Sequence, residues 1–262
     1  MKTNRFTMKT LKVLLILMCA SAVSYAQQLE FGSGFNVSQP LGTMGRNMNN
    51  AFGLTLAASK NFKTPFSIGA EIAFGNYGYQ TSRQQYTFDD GSVTETDVSV
   101  SNNLFNVSLT GKHFFRNNKK INPYLSGKVG WSWFNTTLTI EDPEDEYSCH
   151  PLESDILSRD NTYSLSGGGG LRIDLGALFK KIETQRFYID VSVHSTSGGT
   201  VNYMNSEMDP AQRTPDRDVV AKFINRQTQV IHEHHVGYVY NSVLNMIEYR
   251  LGITFRMRGN QE

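Results

Sequence analysis

Roughly eight stretches of this chain alternate apolar and polar residues with a period of two, and the polar member is repeatedly charged. Phe66, Ile68, Ala70, Ile72 and Phe74 fall on one side of such a stretch, opposite Ser67, Gly69, Glu71, Ala73 and Gly75. Ile247, Tyr249, Leu251, Ile253 and Phe255 stand likewise against Glu248, Arg250, Gly252, Thr254 and Arg256. Successive side chains of a strand point to opposite faces. An aliphatic row backed by a charged row therefore fits strands with one face in lipid and the other toward an enclosed interior, the pattern of a transmembrane β-barrel. A soluble sandwich or lipocalin would invert inside and outside, and alternation alone does not separate the two. Loop lengths and aromatic placement do.

The first residues read as a secretion signal. Lys9 and Lys12 precede the apolar run 13–20, and Ser24-Tyr25-Ala26 offers small residues at the two positions a signal peptidase reads. Residues 1–26 are expected to be removed, leaving 27–262 as one barrel domain. Cys19 raises a lipoprotein signal, but Met18 stands where a small residue is wanted, and Cys149 is then the lone cysteine of the mature chain. No stretch reaches the ~18 apolar residues of a membrane-spanning helix. The signal carries four cations and no acid, so its removal turns the net charge of +1 into −3. That near balance speaks against a nucleic-acid partner, which calls for a clustered basic surface.

Strands are expected at 28–38, 51–62, 65–88, 92–115, 123–140, 162–179, 187–205 and over the final segment to Phe255. Connections after the second, fourth and sixth are short, while 39–50, the hairpin 79–101 closed by Asp90-Gly91, 141–161 and 206–242 are long. Short periplasmic turns and long external loops give that asymmetry, with both termini in the periplasm. Aromatics gather near both rims: Phe62, Phe66, Phe114, Phe115, Tyr124, Phe179, Phe187 and Tyr188 at one, Phe52, Tyr77, Tyr79, Trp131, Trp133 and Phe134 at the other.

With that signal, strands such as 66–74 and the last strand 248–255, the chain resembles the small outer-membrane β-barrels of Gram-negative bacteria, the outer-membrane protein A-like and X-like barrels. The resemblance is architectural and covers nearly the whole mature chain. It implies an all-β fold: a closed antiparallel up-and-down barrel of about eight strands with long extracellular loops. It also implies an integral outer-membrane location, in contact with membrane lipid and lipopolysaccharide. One departure is that the chain continues past Phe255, where these barrels often end on an aromatic.

The inward positions carry Glu30, Glu71, Asp174, Asp190 and Glu248 against Lys112, Lys128, Arg172, Arg250 and Arg256, with His194 nearby. A barrel of about eight strands is just wide enough to be filled by its own side chains, so a salt-bridged plug is expected rather than a pore. The run His194-Ser195-Thr196-Ser197 faintly resembles the His-x-Ser-Asn motif of outer-membrane lipid A deacylases, but Thr196 stands where the nucleophile belongs. His232, His234 and His235 are weak candidates for a metal site, since alternate positions of an extended segment share a face. Thr214-Pro215-Asp216 reads as a helix start before Val219, Val220, Phe223 and Ile224, a stripe that would lie over the barrel mouth or dock an envelope protein. Glycines 167–170 lack a following helix, which disfavours a phosphate loop, and are expected to let the sheet curve and to seat large neighbours.

These readings lead to a non-enzymatic barrel without cofactor, whose hairpin 79–101 and loops 141–161 and 206–242 bind a partner protein or surface ligand. A barrel enzyme acting on lipid or peptide, and an accessory barrel of a secretion or assembly complex, are the alternatives.

Overall fold

The computed structural model describes residues 29–62, 65–87, 93–115, 120–141, 152–177, 179, 186–205, 217–224 and 231–257. The signal segment 1–26 and Cys149 lie outside these residues. Among the described residues nine strands form one antiparallel sheet: β1 Leu29–Pro40, β2 Ala51–Asn61, β3 Phe66–Thr87, β4 Val93–Phe114, β5 Ile121–Ile140, β6 Glu153–Asp174, β7 Phe187–Asn205, β8 Arg217–Ile224 and β9 Ile231–Arg256. Each pairs with its sequence neighbour through β7, β7 pairs with β9, and β9 closes on β1 from Glu30↔Arg256 to Pro40↔Met246. Eight strands thus make a closed barrel, which removes the sheet edges that water or other chains would otherwise satisfy. The ninth, β8, pairs with β9 from Arg217↔Val239 to Ile224↔Ile231. Because β7 takes the other edge of β9 at Tyr238 and Val239, β8 continues the barrel wall above the end of β1.

The outward row is apolar and bare. Leu54, Leu109 and Leu251 are 66%, 63% and 59% exposed, which is tolerable when the surroundings are lipid and not when they are water. The inward row is buried and polar over the lower half, then apolar above.

Bulges help to set which residues face in. Register shifts at Asn76/Gly78 in β3 and between Ser197 and Thr200 in β7. In β7 the even residues Asp190, Ser192, His194 and Thr196 are buried below the bulge and the odd residues Val201 and Tyr203 above it. Each bulge inserts an unpaired residue and so reverses the side-chain alternation. Above the β7 bulge Tyr203 consequently packs inside, where it joins Tyr77 and Phe134, which keep the inward parity of Glu71 and Lys128 on their own strands, and Leu104, Tyr240, Leu244 and Met246. Of the expected girdle aromatics, Tyr77 and Phe134 at the upper end, and Phe114, Tyr124 and Tyr188 at the lower, face the interior instead. Phe62, Phe66, Phe115, Phe187, Phe52, Tyr79 and Trp131 are outside and exposed.

The long connections hold more regular structure than their sequence suggests. Inside 39–50 sits a short helix, α1, Gly42–Asn47, entered through Gly42 at φ 60°. A Cβ at Gly45 would stand 2.5 Å from the carbonyl oxygen of Pro40, so only glycine lets the helix turn this tightly onto β1. The helix inserts Met44, and Met48 follows it, into the apolar cluster under the mouth. Asn205 Nδ2 donates to Asn47 O at 2.9 Å and pins its end. The segment 206–242 contains β8 and the first turns of chain in β9, and 141–161 contains the start of β6. The stripe Val219, Val220, Phe223 and Ile224 is a strand, not a helix. Pairing with β9 satisfies its backbone groups directly, whereas an isolated helix of that length is marginal. The sixth barrel strand runs from Glu153 and ends at Asp174 in a single 3-10 turn, Leu175–Ala177, earlier than the expected 179.

Candidate functional site

Following β9 upward from Arg256, the interior is filled in layers. In the lowest, Arg172 Nη1 donates to both oxygens of Glu30 at 3.1 Å. Arg256 Nε donates to Glu30 Oε1 at 2.7 Å. The Arg172 guanidinium lies 4.0 Å from the centre of the Phe114 ring and 4.5 Å from that of Tyr188, so one cation is held by a carboxylate and two aromatic faces. Phe114 and Tyr188 are therefore part of the charge network, not of a membrane girdle. Asp174 accepts from the Gly176 amide at 2.9 Å and closes the turn beneath.

The middle layers bring together the remaining inward charges. Lys112 Nζ is 3.5 Å from Asp190 Oδ2, and Tyr124 Oη donates to Asp190 Oδ1 at 2.6 Å. Lys128 Nζ bridges Glu71 at 2.6 Å and Glu248 at 2.9 Å, and Arg250 Nη1 donates to the other oxygen of Glu71. Ser126 Oγ and His194 Nε2 are 2.6 Å apart, while His194 Nδ1 meets no hydrogen-bond partner among the described residues. A side chain that reaches across a strand needs that strand to be bare. A Cβ at Gly168 would come within 2.9 Å of His194 Cδ2, and one at Gly170 within 2.6 Å of Tyr124 Oη. The glycine run of β6 is the floor over which His194 and Tyr124 reach their partners.

Ion pairs so deeply buried stabilise little by themselves, because desolvation offsets the attraction, but breaking one leaves an uncompensated charge. Their consequence here is to fill the lumen. Above them Thr55 donates to Asn36 at 3.0 Å, and Asn106 donates to Ser132 at 2.9 Å and Ser164 at 3.0 Å. The apolar cluster capped by α1 follows.

Beyond the mouth the strands continue and fold on a second apolar cluster: Val98, Val100, Leu138, Ile140, Met204, Val236 and Val239, with Leu152, Leu157 and Val219 packed against it. The hairpin 79–101 does not stand free in water. Its returning arm supplies Val98 and Val100 to this core. Val219 packs into the same core rather than forming an outer stripe with its neighbours, and the side chains of Val220, Phe223 and Ile224 lie outside the described residues. His232, His234 and His235 lie on β9 opposite Phe223, Ala221 and Val220, in a strand and not in a loop, and their side chains too lie outside the described residues. Among the described residues no three His, Cys, Asp or Glu side chains gather as a metal group.

A closed eight-stranded barrel with a lipid-facing exterior and a charge-filled interior is a transmembrane β-barrel. Residues 11–205 match the model of the outer membrane protein beta-barrel domain family, and the chain belongs to that family. It is an integral protein of the outer membrane of Gram-negative bacteria. No curated protein sequence matches it. Among solved structures it is similar to Neisserial surface protein A, at 9% identity and TM-score 0.43 over 88% of this chain and 96% of that one. It is also similar to OprG from Pseudomonas aeruginosa, at 10% identity and TM-score 0.42 over 89% and 97%. A further similarity is to the attachment invasion locus protein of Yersinia pestis, solved with a heparin analogue, at 13% identity and TM-score 0.37 over 88% and 97%.

Proposed function

We propose that this chain is a non-catalytic outer-membrane barrel that holds an extracellular β-platform for binding a partner protein or surface ligand, with both termini in the periplasm. The observation that carries this reading is the second apolar core: strands β4 to β9 extend past the lipid-facing rows and pack Val98, Val100, Leu138, Ile140, Met204, Val236 and Val239 together. A core of its own makes the projecting region rigid, and a rigid surface loses less freedom on binding. Transport through the lumen is disfavoured by its ion pairs. Lipid-facing hydrolysis at His194 is disfavoured because the imidazole is buried inside, whereas Ser195 and Ser197 are exposed on the opposite face.

Two shortened chains test the platform, one with residues 84–96 and one with 206–230 replaced by a tight turn. Both are expected to insert as heat-modifiable, β-rich barrels, and at least one to lose the envelope component that co-purifies with the intact protein from native membranes. Retention of that component by both would place binding elsewhere.

A further inference from the structure

Directly above the lipid-facing apolar rows, the outward positions of six strands carry asparagine. Asn76, Asn103 and Asn135 stand in one cross-strand row, Asn76↔Asn103 and Asn103↔Asn135. Asn202 and Asn241 pair on the other side of the barrel, and Asn161 lies on β6 between the two groups. Each is flanked in sequence by a buried, inward residue, so all six side chains point out; Asn161, Asn202 and Asn241 are exposed. On β3 to β5 the outward row immediately below is aromatic: Phe74 pairs with Phe105, and Phe105 with Trp133, ring centres 5.5 Å apart. Asn161 continues that lower row, opposite Trp133, and Trp131 Nε1 donates to its Oδ1 at 2.8 Å.

The amides are set in order by one another and keep capacity to spare. Asn76 Nδ2 donates to Asn103 Oδ1 at 3.2 Å and Asn241 Nδ2 to Asn202 Oδ1 at 2.8 Å. Asn202 Nδ2 donates to Asp160 at 2.8 Å. A primary amide offers two donors and two acceptor lone pairs. Asn76 also donates from Nδ2 to Ser101 Oγ at 2.9 Å and accepts at Oδ1 from the Gly78 amide at 3.1 Å, and Asn103 Oδ1 also accepts from Ser101 Oγ at 3.3 Å. Asn135 Oδ1 is buried, so the remaining amide groups are most open at the exposed Asn161, Asn202 and Asn241. The collar is also almost uncharged. Arg159, opposite Asn135, is the one cation in its row and sits next to Asp160. Arg83 and Asp97 are paired with each other at 3.4 Å, higher on the β3–β4 hairpin.

We propose that this collar is a docking surface for the uncharged saccharide of outer-leaflet glycolipid headgroups. Continuity with the lipid-facing rows puts it in the headgroup layer, where hydroxyl-rich rings meet it. Aromatic faces below and paired amides above match a sugar's apolar ring face and its hydroxyl edge. A phosphate-reading collar would instead present clustered Arg or Lys. The inference rests on the platform end facing the cell exterior.

The protein is refolded into phosphatidylcholine liposomes doped in turn with diphosphoryl lipid A, its dephosphorylated form, digalactosyl diacylglycerol or phosphatidylglycerol, and the lipids retained after gentle detergent extraction are counted by native mass spectrometry. The three saccharide lipids should be retained equally, above phosphatidylcholine and phosphatidylglycerol, and excess EDTA should change nothing. The paired variants Asn103→Leu with Asn135→Leu, and Asn202→Leu with Asn241→Leu, should each retain about tenfold less, the scale of one or two neutral hydrogen bonds. Retention that needs phosphate or divalent cations, or no preference for any saccharide lipid, overturns the proposal, and this comparison on the unaltered protein needs no variant to fold. Orientation is read separately, by labelling Asn50→Cys in a Cys149→Ser background on intact cells with an impermeant maleimide. Labelling is expected; its absence beside saccharide retention in liposomes would sink the outward placement and leave the collar's chemistry standing.

Discussion

Tyr124 on β5 donates a 2.6 Å hydrogen bond to Asp190 on β7, passing over the bare backbone of Gly170 on the strand between them. Two residues further up β5, Ser126 meets His194, which reaches back from β7 over Gly168. Lumen side chains in this barrel thus join strands that are not neighbours, and between β5 and β7 these two do so where β6 contributes no side chain.

Alanine at either glycine should therefore be costly. A Cβ at Gly168 would lie 2.1 Å from Val193 O and one at Gly170 2.5 Å from Val191 O, both backbone atoms that cannot swing away. Overpacking of that kind costs about 1–3 kcal/mol. Gly167, one residue earlier and facing outward, has nothing within 4 Å of its Cβ position, and Gly167→Ala should leave stability unchanged. Urea midpoints for folding into lipid vesicles compare the three; equal midpoints would contradict the seat.

Glu71 is shared by Lys128 and Arg250. Arg250→Leu should lower stability by about 3–5 kcal/mol, and so should Arg172→Leu, which orphans part of Glu30. Replacing Glu71 and Arg250 together by Leu and Met should cost less than the sum of the single changes, because no uncompensated partner of that pair is left. Additive losses in a double-mutant cycle would show that the charges are solvated independently.

The closed architecture was legible because one face of each strand is aliphatic, as in Ile247, Tyr249, Leu251 and Ile253, and period-two alternation survives any uncertainty about strand ends. The inward charge set from Glu30 to Arg256 follows from the same parity. What sequence hid was wherever parity breaks. Gly198-Gly199 reads as part of one unbroken strand, 187–205, yet it is a bulge that turns Val201 and Tyr203 inward, and nothing in a single strand reports that. Tyr77 and Phe134 look like girdle residues because amphipathic rings suit a rim equally well from inside or outside. Helix α1 contains Gly42 and Gly45, poor helix formers, and exists because Met44 and Met48 are buried beneath it. Val219, Val220, Phe223 and Ile224 fit a helical spacing, and only the partner strand 231–239 decides for β.

Two independent fillings block the barrel, the ion-pair layers and α1 with its apolar cluster. In planar bilayers the intact protein should show no steady porin-like conductance. Replacing 41–50 by a short turn takes α1, Met44 and Met48 out of the upper filling but leaves Glu71, Lys128, Glu248 and Arg250 in place, so that variant should stay closed too. Stable currents from the helix-deleted chain alone would show that α1 is the gate and the charged layers are permeable.

The bulge at Gly198-Gly199 separates the lower, lipid-facing half of β7 from the half that projects above it. A Cβ at Gly198 would stand 2.1 Å from Tyr163 O and 2.8 Å from Leu244 Cδ2, and one at Gly199 2.6 Å from Thr162 Oγ1, so both positions are held tightly. Deleting Gly199 removes the extra residue and restores simple alternation, with Thr196 in, Ser197 out, Gly198 in and Thr200 out, so that Val201 and Tyr203, now 0% and 1% exposed, stay inward. The lower strand, with Asp190, Ser192 and His194, keeps its register against β6 and β9. The deletion should therefore leave a barrel that inserts and migrates as a heat-modifiable species, and whose upper region keeps its packing around Tyr240 and Leu244 and the protease protection of the parent chain. Cleavage mapped to β7 above residue 200, with the membrane fragment protected, would mean that the bend and twist of the bulge, and not the facing of the side chains alone, hold the upper half in place.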